Sequence, residues 1–224
     1  MDIAEILKNF INAKQVIITW FSVLTRGADA FERIELETSS TLFYALTFML
    51  YMAFVDVLLH IPLAAKSGTK TVLTVESVLL LETYIEYLAT GLILYGSMKL
   101  FGGRGRLQPC IAAYCLLTAY LPIISVLMTP MRTFIFPFLT QGTDVQQIAK
   151  SVRGQVAQSS AWVSFGFFLS FLLTTVVFVV FLTAVFRTFR KLHNLTRARA
   201  GVALVVGLVC SAVVLVFIVE PLFS

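Results

Sequence analysis

Charged side chains are scarce in this sequence. Asp, Glu, Lys and Arg make up 13% of its 224 residues, whereas a typical soluble domain contains about 25%. Hydrophobic residues account for 58% of the chain. This composition excludes an ordinary soluble domain and predicts a protein that crosses the membrane several times. The length suits one membrane domain.

Cysteine is also rare, and its positions exclude two classes of site. The three cysteines, Cys110, Cys115 and Cys210, lie in apolar segments. They have neither the spacing of a metal site nor that of a disulfide framework. We interpret them as small packing residues. The acidic start, Met1 to Glu5, is not typical of a cleaved signal peptide, whose first residues are basic.

An amphipathic helix is predicted over residues 2–25, because apolar residues recur there at helical spacing. The residues that share this apolar face are Ile3, Ile6, Leu7, Phe10, Ile17, Trp20, Phe21 and Leu24. We expect residues 1–40 to form a cytoplasmic or interfacial helical segment with Trp20 at the depth of the lipid headgroups. The alternative is a helix packed on the rest of the domain. Gly27 is expected to end this helix.

Five apolar segments are long enough to cross a bilayer, whose hydrocarbon core is about 30 Å thick. They cover residues 42–65, 72–101, 109–128, 161–186 and 201–219. We therefore predict an all-α membrane protein in which residues 41–224 form a bundle of five transmembrane helices. Pro122 is expected to kink the third span.

Lysine and arginine are distributed unevenly between the two sides of such a bundle. The side that carries the N-terminus would hold 12 of these residues, and the opposite side would hold 5. Because cytoplasmic loops are enriched in Lys and Arg, this asymmetry predicts that the N-terminus is inside and the C-terminus outside.

Ionisable residues are concentrated in the first two spans, although a charge at the centre of a membrane helix costs at least ~2.5 kcal/mol. These residues are Asp56, His60, Glu76, Glu82 and Glu86. Asp56 and His60 are one helical turn apart and share a face. Glu82 and Glu86 do the same. An antiparallel hairpin that turns near residue 68 would bring Asp56 to the depth of Glu82, and His60 to the depth of Glu76.

Three interpretations of this hairpin remain open. Neutral carboxyl groups could join the helices by hydrogen bonds to Tyr84, Tyr87, Tyr114 or Tyr120. The acids and His60 could instead form a proton or cation relay in a polar cavity. The third interpretation is a divalent metal such as zinc, with Glu76 as a further candidate ligand. The ligands of that metal site would be Asp56, His60, Glu82 and Glu86.

A short basic turn, Gly102-Gly103-Arg104-Gly105-Arg106, follows the second span. Its backbone N–H groups, with Arg104 and Arg106, suit the phosphate of a lipid headgroup. The alternative is a tight cytoplasmic turn whose charges only orient the protein in the membrane. The turn lacks the Lys-Ser/Thr ending of a nucleotide-binding loop.

Three features together resemble the Yip-domain family, five-span membrane proteins named for relatives that interact with Ypt/Rab proteins in eukaryotes. The first is Arg26 to Ile34, whose ending Ala30-Phe31-Glu32-Arg33-Ile34 is similar to the segment before the first span of bacterial members. The second is Leu100 to Leu107, followed by Tyr114 and Pro122, which is similar to the turn and third span of the family. The third is the five-span layout with a cytoplasmic N-terminus.

The resemblance implies a bacterial-type protein of the cytoplasmic membrane that acts as a non-enzymatic adaptor or membrane organiser, without a cofactor. It implies membrane lipids and a membrane protein or transport complex as partners, and a homo-oligomer remains open. It implies no Rab partner, because the motifs of the eukaryotic trafficking members are missing. No nucleic-acid partner is expected, because the basic residues lie in short loops beside apolar segments.

The alternative function does not depend on this resemblance. It is a small transporter-like or metal-binding membrane protein that uses the acids and the histidine of the first two spans. No set of residues resembles a nucleophile with its base, so catalysis without a metal is not expected.

Overall fold

The computed structural model describes residues 13–27, 29–30, 39–65, 72–129 and 161–223. Its helices are α1 (Ala13–Arg26), α2 (Ser39–Ala65), α3 (Val72–Leu100), α4 (Leu107–Leu117), α5 (Ala161–His193), α6 (Arg197–Val214) and α7 (Glu220–Phe223). A 3-10 turn, Thr118–Tyr120, follows α4 and leads into a helical segment over residues 121–129. A π-helical turn, Leu215–Val219, joins α6 to α7. The described residues contain no strand, which confirms the all-α prediction.

Five helical segments are long and apolar enough to cross a membrane, as predicted. They cover Ser39–Leu59, Val78–Leu100, Leu107–Thr129, Phe165–His193 and Arg197–Val219. The fourth span departs from its predicted boundary, because α5 continues beyond residue 186 to His193. Arg190 and Lys191 lie in the last turn of α5. They favour this extension, since cations stabilise the negative end of a helix dipole.

The described residues form two compact units. The first unit contains residues 13–122 and 181–223, and the second contains residues 123–129 and 161–180. In the second unit, the Ser170 hydroxyl donates a hydrogen bond to the Leu127 carbonyl and joins the two helical segments. Phe165 and Phe168 are exposed on the same segment of α5. Such exposed aromatic side chains suit a helix that faces lipid.

The core of the first unit is built around α4 and the 3-10 turn, since every residue from 109 to 120 is buried. α3 packs on α4 at Gly91, where a Cβ atom would stand 2.6 Å from the ring of Tyr114. α6 packs on α3 at Gly207, where a Cβ atom would stand 2.6 Å from Ser97 Oγ. Small residues at both contacts let the helices approach closely, as is common between membrane helices.

α1 contacts the third span, and both of its predicted placements stay predictions. The indole Nε1 of Trp20 donates a hydrogen bond of 2.8 Å to the Ala119 carbonyl. The Tyr120 hydroxyl donates a hydrogen bond of 3.0 Å to the Val23 carbonyl. Val23 is fully buried, whereas Phe21 is exposed. The headgroup depth of Trp20 stays a prediction, and the predicted apolar residues before residue 13 lie outside the described residues.

Gly27 ends α1 as predicted, whereas the kink at Pro122 stays a prediction. Gly27 follows α1 with a φ of +54°, a conformation that glycine adopts without steric cost. Pro122 has no N–H to donate to the Thr118 carbonyl four residues earlier. That carbonyl accepts a hydrogen bond from the Leu121 N–H, within the 3-10 turn. The chain therefore departs from α-helical geometry directly before Pro122.

We expect Gly207→Ala to destabilise the first unit and Gly96→Ala to leave it unchanged or more stable. The added methyl group at position 207 would meet Ser97 and Leu94, whereas nothing lies within 4 Å of the corresponding position at Gly96. Overpacking typically costs ~1–3 kcal/mol, and alanine is favoured over glycine inside a helix by up to about 1 kcal/mol. Thermal unfolding of the two purified variants measures the difference. Equal unfolding temperatures would contradict the contact between α3 and α6.

Candidate functional site

The charged hairpin contains a hydrogen bond between its two helices. The Tyr87 hydroxyl on α3 donates to Asp56 Oδ2 on α2 over 2.9 Å. Tyr87 is buried and Asp56 is half-buried. Tyr87 is one of the four tyrosines that the sequence predicts as partners of the acids. This bond fits the interpretation in which the intramembrane acids hold the helices together.

The structure gives fewer contacts for the other predicted residues of the hairpin. Glu82 and Glu86 are half-buried and each has an interaction partner. The side chains of His60 and Glu76 lie outside the described residues, as does the predicted turn over residues 66–70. Among the described side chains, no three His, Cys, Asp or Glu residues lie close enough to hold a metal ion. The predicted metal site and the relay therefore stay predictions.

A second polar region lies where α3 and α5 end and where α4 and α6 begin. We call residues 99–106 and 187–199 the basic end. Its lysines and arginines are Lys99, Arg104, Arg106, Arg187, Arg190, Lys191, Arg197 and Arg199. Seven of these eight side chains are exposed, and Arg190 is half-buried. The sequence has no acidic residue from position 87 to position 219 except Asp144, so neither loop of the basic end carries a compensating carboxylate.

Both helices that end here are closed by the same hydrogen-bonded motif. After α3, the Gly102 N–H donates to the Lys99 carbonyl over 3.0 Å, and the Gly103 N–H donates to the Met98 carbonyl over 2.9 Å. Gly102 has a φ of +88°. This combination is a Schellman motif, in which a left-handed residue lets the backbone N–H groups turn back to the last helical carbonyls.

The end of α5 repeats this motif with asparagine in the left-handed position. The Asn194 N–H donates to the Lys191 carbonyl over 3.2 Å, and the Leu195 N–H donates to the Arg190 carbonyl over 3.1 Å. Asn194 has a φ of +52°, and asparagine tolerates this conformation better than most residues. The backbone of both loops is therefore fixed by hydrogen bonds.

His193, the last residue of α5, joins the two loops. Its carbonyl accepts a hydrogen bond of 3.0 Å from the Arg104 N–H. Its imidazole ring is fully buried beneath the glycine turn. A Cβ atom at Gly105 would stand 3.0 Å from three atoms of the ring, and one at Gly103 would stand still closer to Nδ1. Only glycine fits at these two positions without displacing the ring.

The imidazole is held on its other sides by α3, α4 and α5. Nε2 lies 3.2 Å from the Cys110 sulfur, within hydrogen-bonding distance. The ring is stacked on Phe189, with 6.1 Å between centroids and 9° between planes. The Tyr95 ring lies 5.5 Å away by centroids. Nδ1 is buried and has no hydrogen-bond partner among the described residues.

The geometry indicates that His193 and Cys110 position the basic end. Both side chains are fully buried, so neither is accessible to a substrate from the surface. No sequence motif contains His193, and Cys110 is predicted only as a packing residue. Two signals point to them in retrospect: His193 is one of only two histidines, and Gly103 and Gly105 leave one side of the turn without side chains.

Arg104 and Arg106, which the sequence predicts as headgroup ligands, are both exposed at this turn. The prediction that backbone N–H groups of the turn bind the headgroup is wrong for residues 102–104, because these groups donate to carbonyls of the protein. Arg199 approaches the same turn from the start of α6. Its Nη1 atom lies 3.8 Å from the position that a Cβ atom would take at Gly102. The structure therefore brings a third arginine, which sequence reasoning did not include, to the predicted headgroup site.

Comparison with known proteins shows no similarity on which a function could be based. No family model, no curated protein and no solved structure matches the chain. The resemblance to the Yip-domain family stays a prediction from the motifs quoted above.

We expect Tyr87→Phe to lower the stability of the protein by about 1 kcal/mol, because a buried hydrogen bond to Asp56 is lost. Tyr84→Phe is the control, since the Tyr84 hydroxyl makes no hydrogen bond within the described part of the chain. Thermal unfolding in detergent measures both changes. A Tyr87→Phe variant as stable as the Tyr84→Phe variant would contradict a structural role for the Asp56 hydrogen bond.

Proposed function

We propose that this protein is a non-enzymatic integral membrane protein, an adaptor or membrane organiser, that engages anionic lipid through its basic end. Five helices of the described residues that are long and apolar enough to cross a membrane support a multi-span membrane protein. The observation that carries the proposal is the fixed backbone of the basic end. Its cations lie in the turn after α3 and at the adjoining ends of three helices, and two Schellman motifs and the buried His193 ring hold this backbone. Fixed cations attract anionic headgroups without the entropy cost of ordering a flexible loop.

The distribution of charge supports a cytoplasmic position for the basic end. Cytoplasmic loops are enriched in Lys and Arg, and the cytoplasmic leaflet of a membrane carries anionic lipids. We therefore propose that the N-terminus lies inside and that the membrane is a bacterial cytoplasmic membrane. The resemblance to Yip-domain proteins supports a membrane protein or transport complex as a further partner of this face.

A purely topogenic role for the same cations is the simplest rival. Positive charges are then needed only while the chain inserts, and the loops that carry them need no fixed conformation. The hydrogen bonds from Gly103 and Arg104 and the burial of His193 give the loops such a conformation. This order supports a role for the basic end in the mature protein.

The alternative function, a transporter-like or metal-binding protein, can be tested separately. The Asp56–Tyr87 hydrogen bond supports a structural role for at least one intramembrane acid. A stoichiometric metal in purified protein that is lost in a Glu82→Gln/Glu86→Gln double variant would replace our proposal with the metal-binding alternative.

The proposal predicts that anionic lipid stabilises the protein. We expect the unfolding temperature to be higher in nanodiscs that contain phosphatidylglycerol than in nanodiscs of phosphatidylcholine alone. The difference should shrink in high salt, since the screening length falls from about 10 Å at 0.1 M to about 3 Å at 1 M. A Lys14→Gln/Arg26→Gln variant, which lacks two cations of α1, should keep the difference. Equal unfolding temperatures in the two lipids would contradict the proposal.

A further inference from the structure

The eight cations of the basic end fall into two groups by their position on a helix. Lys99 lies in the last turn of α3, and Arg190 and Lys191 lie in the last turn of α5. Arg187 lies less than two turns before the end of the same helix. Cations near a helix C-terminus are stabilised by the negative end of the helix dipole. The helix dipoles therefore favour Lys99, Arg190 and Lys191, and Arg187 lies just before the last turn.

The other four cations lie where the helix dipole disfavours them. Arg106 is the residue before α4, and Arg104 lies two residues earlier. Arg197 and Arg199 lie in the first turn of α6. Neither α4 nor α6 has an acidic residue in its first turn. Since the N-terminus of a helix is positive, these arginines add to a positive potential that no acidic residue in these first turns offsets.

Arg199 reaches the glycine turn that carries Arg104 and Arg106, and Arg197 lies in the same first turn of α6. Arg199 Nη1 lies 3.8 Å from the Cβ position of Gly102, so the guanidinium reaches from α6 to the turn that carries Arg104. The Arg104 N–H is held by the His193 carbonyl. Beneath the turn, the fully buried His193 ring directs its unpartnered Nδ1 towards Gly103. The site therefore combines several arginines with a turn in which three of five residues are glycine.

Exposed apolar residues border this turn on both sides. Leu100, before the turn, is 83% exposed, and Leu107, after it, is 46% exposed. Leucine side chains at the two ends of a cationic turn suit a ligand that has both a phosphate and acyl chains. Guanidinium groups bind phosphate through two parallel hydrogen bonds, which a lysine ammonium group cannot do.

We propose that Arg104, Arg106, Arg197 and Arg199 form a binding site for one phosphate group, and that this phosphate is the headgroup of an anionic phospholipid. The inference rests on the proposed function and makes it more specific. In this proposal the arginines at the helix N-termini recognise the lipid headgroup. The other four cations contribute only long-range electrostatic attraction to the anionic membrane surface.

The test compares two variants of the full-length protein that lose the same charge. In the first variant, glutamine replaces the arginines at the helix N-termini: Arg104→Gln, Arg106→Gln, Arg197→Gln and Arg199→Gln. In the matched control, glutamine replaces the cations at the helix C-termini: Lys99→Gln, Arg187→Gln, Arg190→Gln and Lys191→Gln. Native mass spectrometry in detergent measures the binding of phosphatidic acid, of phosphatidylcholine with the same acyl chains, and of inorganic phosphate.

We expect the first variant to bind phosphatidic acid at least about tenfold more weakly than the wild type, since paired guanidinium bonds to phosphate are lost. The control should stay within about threefold of the wild type, since it loses only screened, long-range attraction. Phosphatidylcholine and inorganic phosphate should bind the wild type more weakly than phosphatidic acid does.

An Arg104→Lys/Arg199→Lys variant keeps the net charge and serves if the glutamine variant does not fold. It should lose affinity for phosphatidic acid, because lysine cannot replace the paired guanidinium bonds. Unchanged affinity would overturn the assignment.

The remaining outcomes distinguish failure of the phosphate site from failure of the proposed function. Equal losses in the two glutamine variants would overturn the specific site and leave the proposed function intact. Inorganic phosphate that binds as tightly as phosphatidic acid would overturn the lipid assignment. A wild type without preference for anionic lipid would overturn both the site and the proposed function.

Discussion

The contact between the His193 ring and the glycine turn is the constraint on which the basic end depends. The ring fills the space that side chains at positions 103 and 105 would occupy, and the His193 carbonyl accepts the Arg104 N–H. Cys110 on α4 and Phe189 on α5 hold the ring from other sides. The ends of α3 and α5 and the beginning of α4 are therefore fixed to one another through a single buried side chain. A cationic surface on such a framework can recognise a ligand by shape as well as by charge.

Backbone geometry and charge act together at this end of the first unit. Schellman motifs use the last carbonyls of α3 and α5, and cations lie beside the negative ends of these helices. α4 and α6 begin at the same loops with arginines and without acids. The intramembrane acids follow another rule, because a polar group in hydrocarbon needs a partner inside the protein. Asp56 finds that partner in Tyr87 on the neighbouring helix.

Much of the fold can be predicted from the sequence, because apolar length and helix-ending residues are local signals. The five spans follow from segment length, and the roles of Gly27 and Pro122 follow from their own backbone chemistry. The predicted fourth span ends at residue 186, whereas α5 continues to His193, because cations favour a helix C-terminus.

The candidate site could be predicted only in part. The basic turn with Arg104 and Arg106 can be read from the sequence. The position of Arg199 beside this turn cannot, because it depends on packing between helices that are far apart in the sequence. His193 and Cys110 are 83 residues apart, and no local pattern pairs them. Residue numbers in an antiparallel hairpin predict which residues lie at the same depth, and they place Asp56 level with Glu82. They do not give the rotation of each helix about its axis, on which the hydrogen bond from Tyr87 to Asp56 also depends.

Hydrogen–deuterium exchange over residues 101–106 tests most directly whether His193 fixes the turn. The wild type is predicted to protect the amides of Gly103 and Arg104, which donate to the Met98 and His193 carbonyls. Gly103→Ala is predicted to lose this protection, because its methyl group would displace the ring, whereas Gly96→Ala should keep it. Wild-type amides that exchange as fast as those of an unstructured peptide, or undiminished protection in Gly103→Ala, would contradict the account.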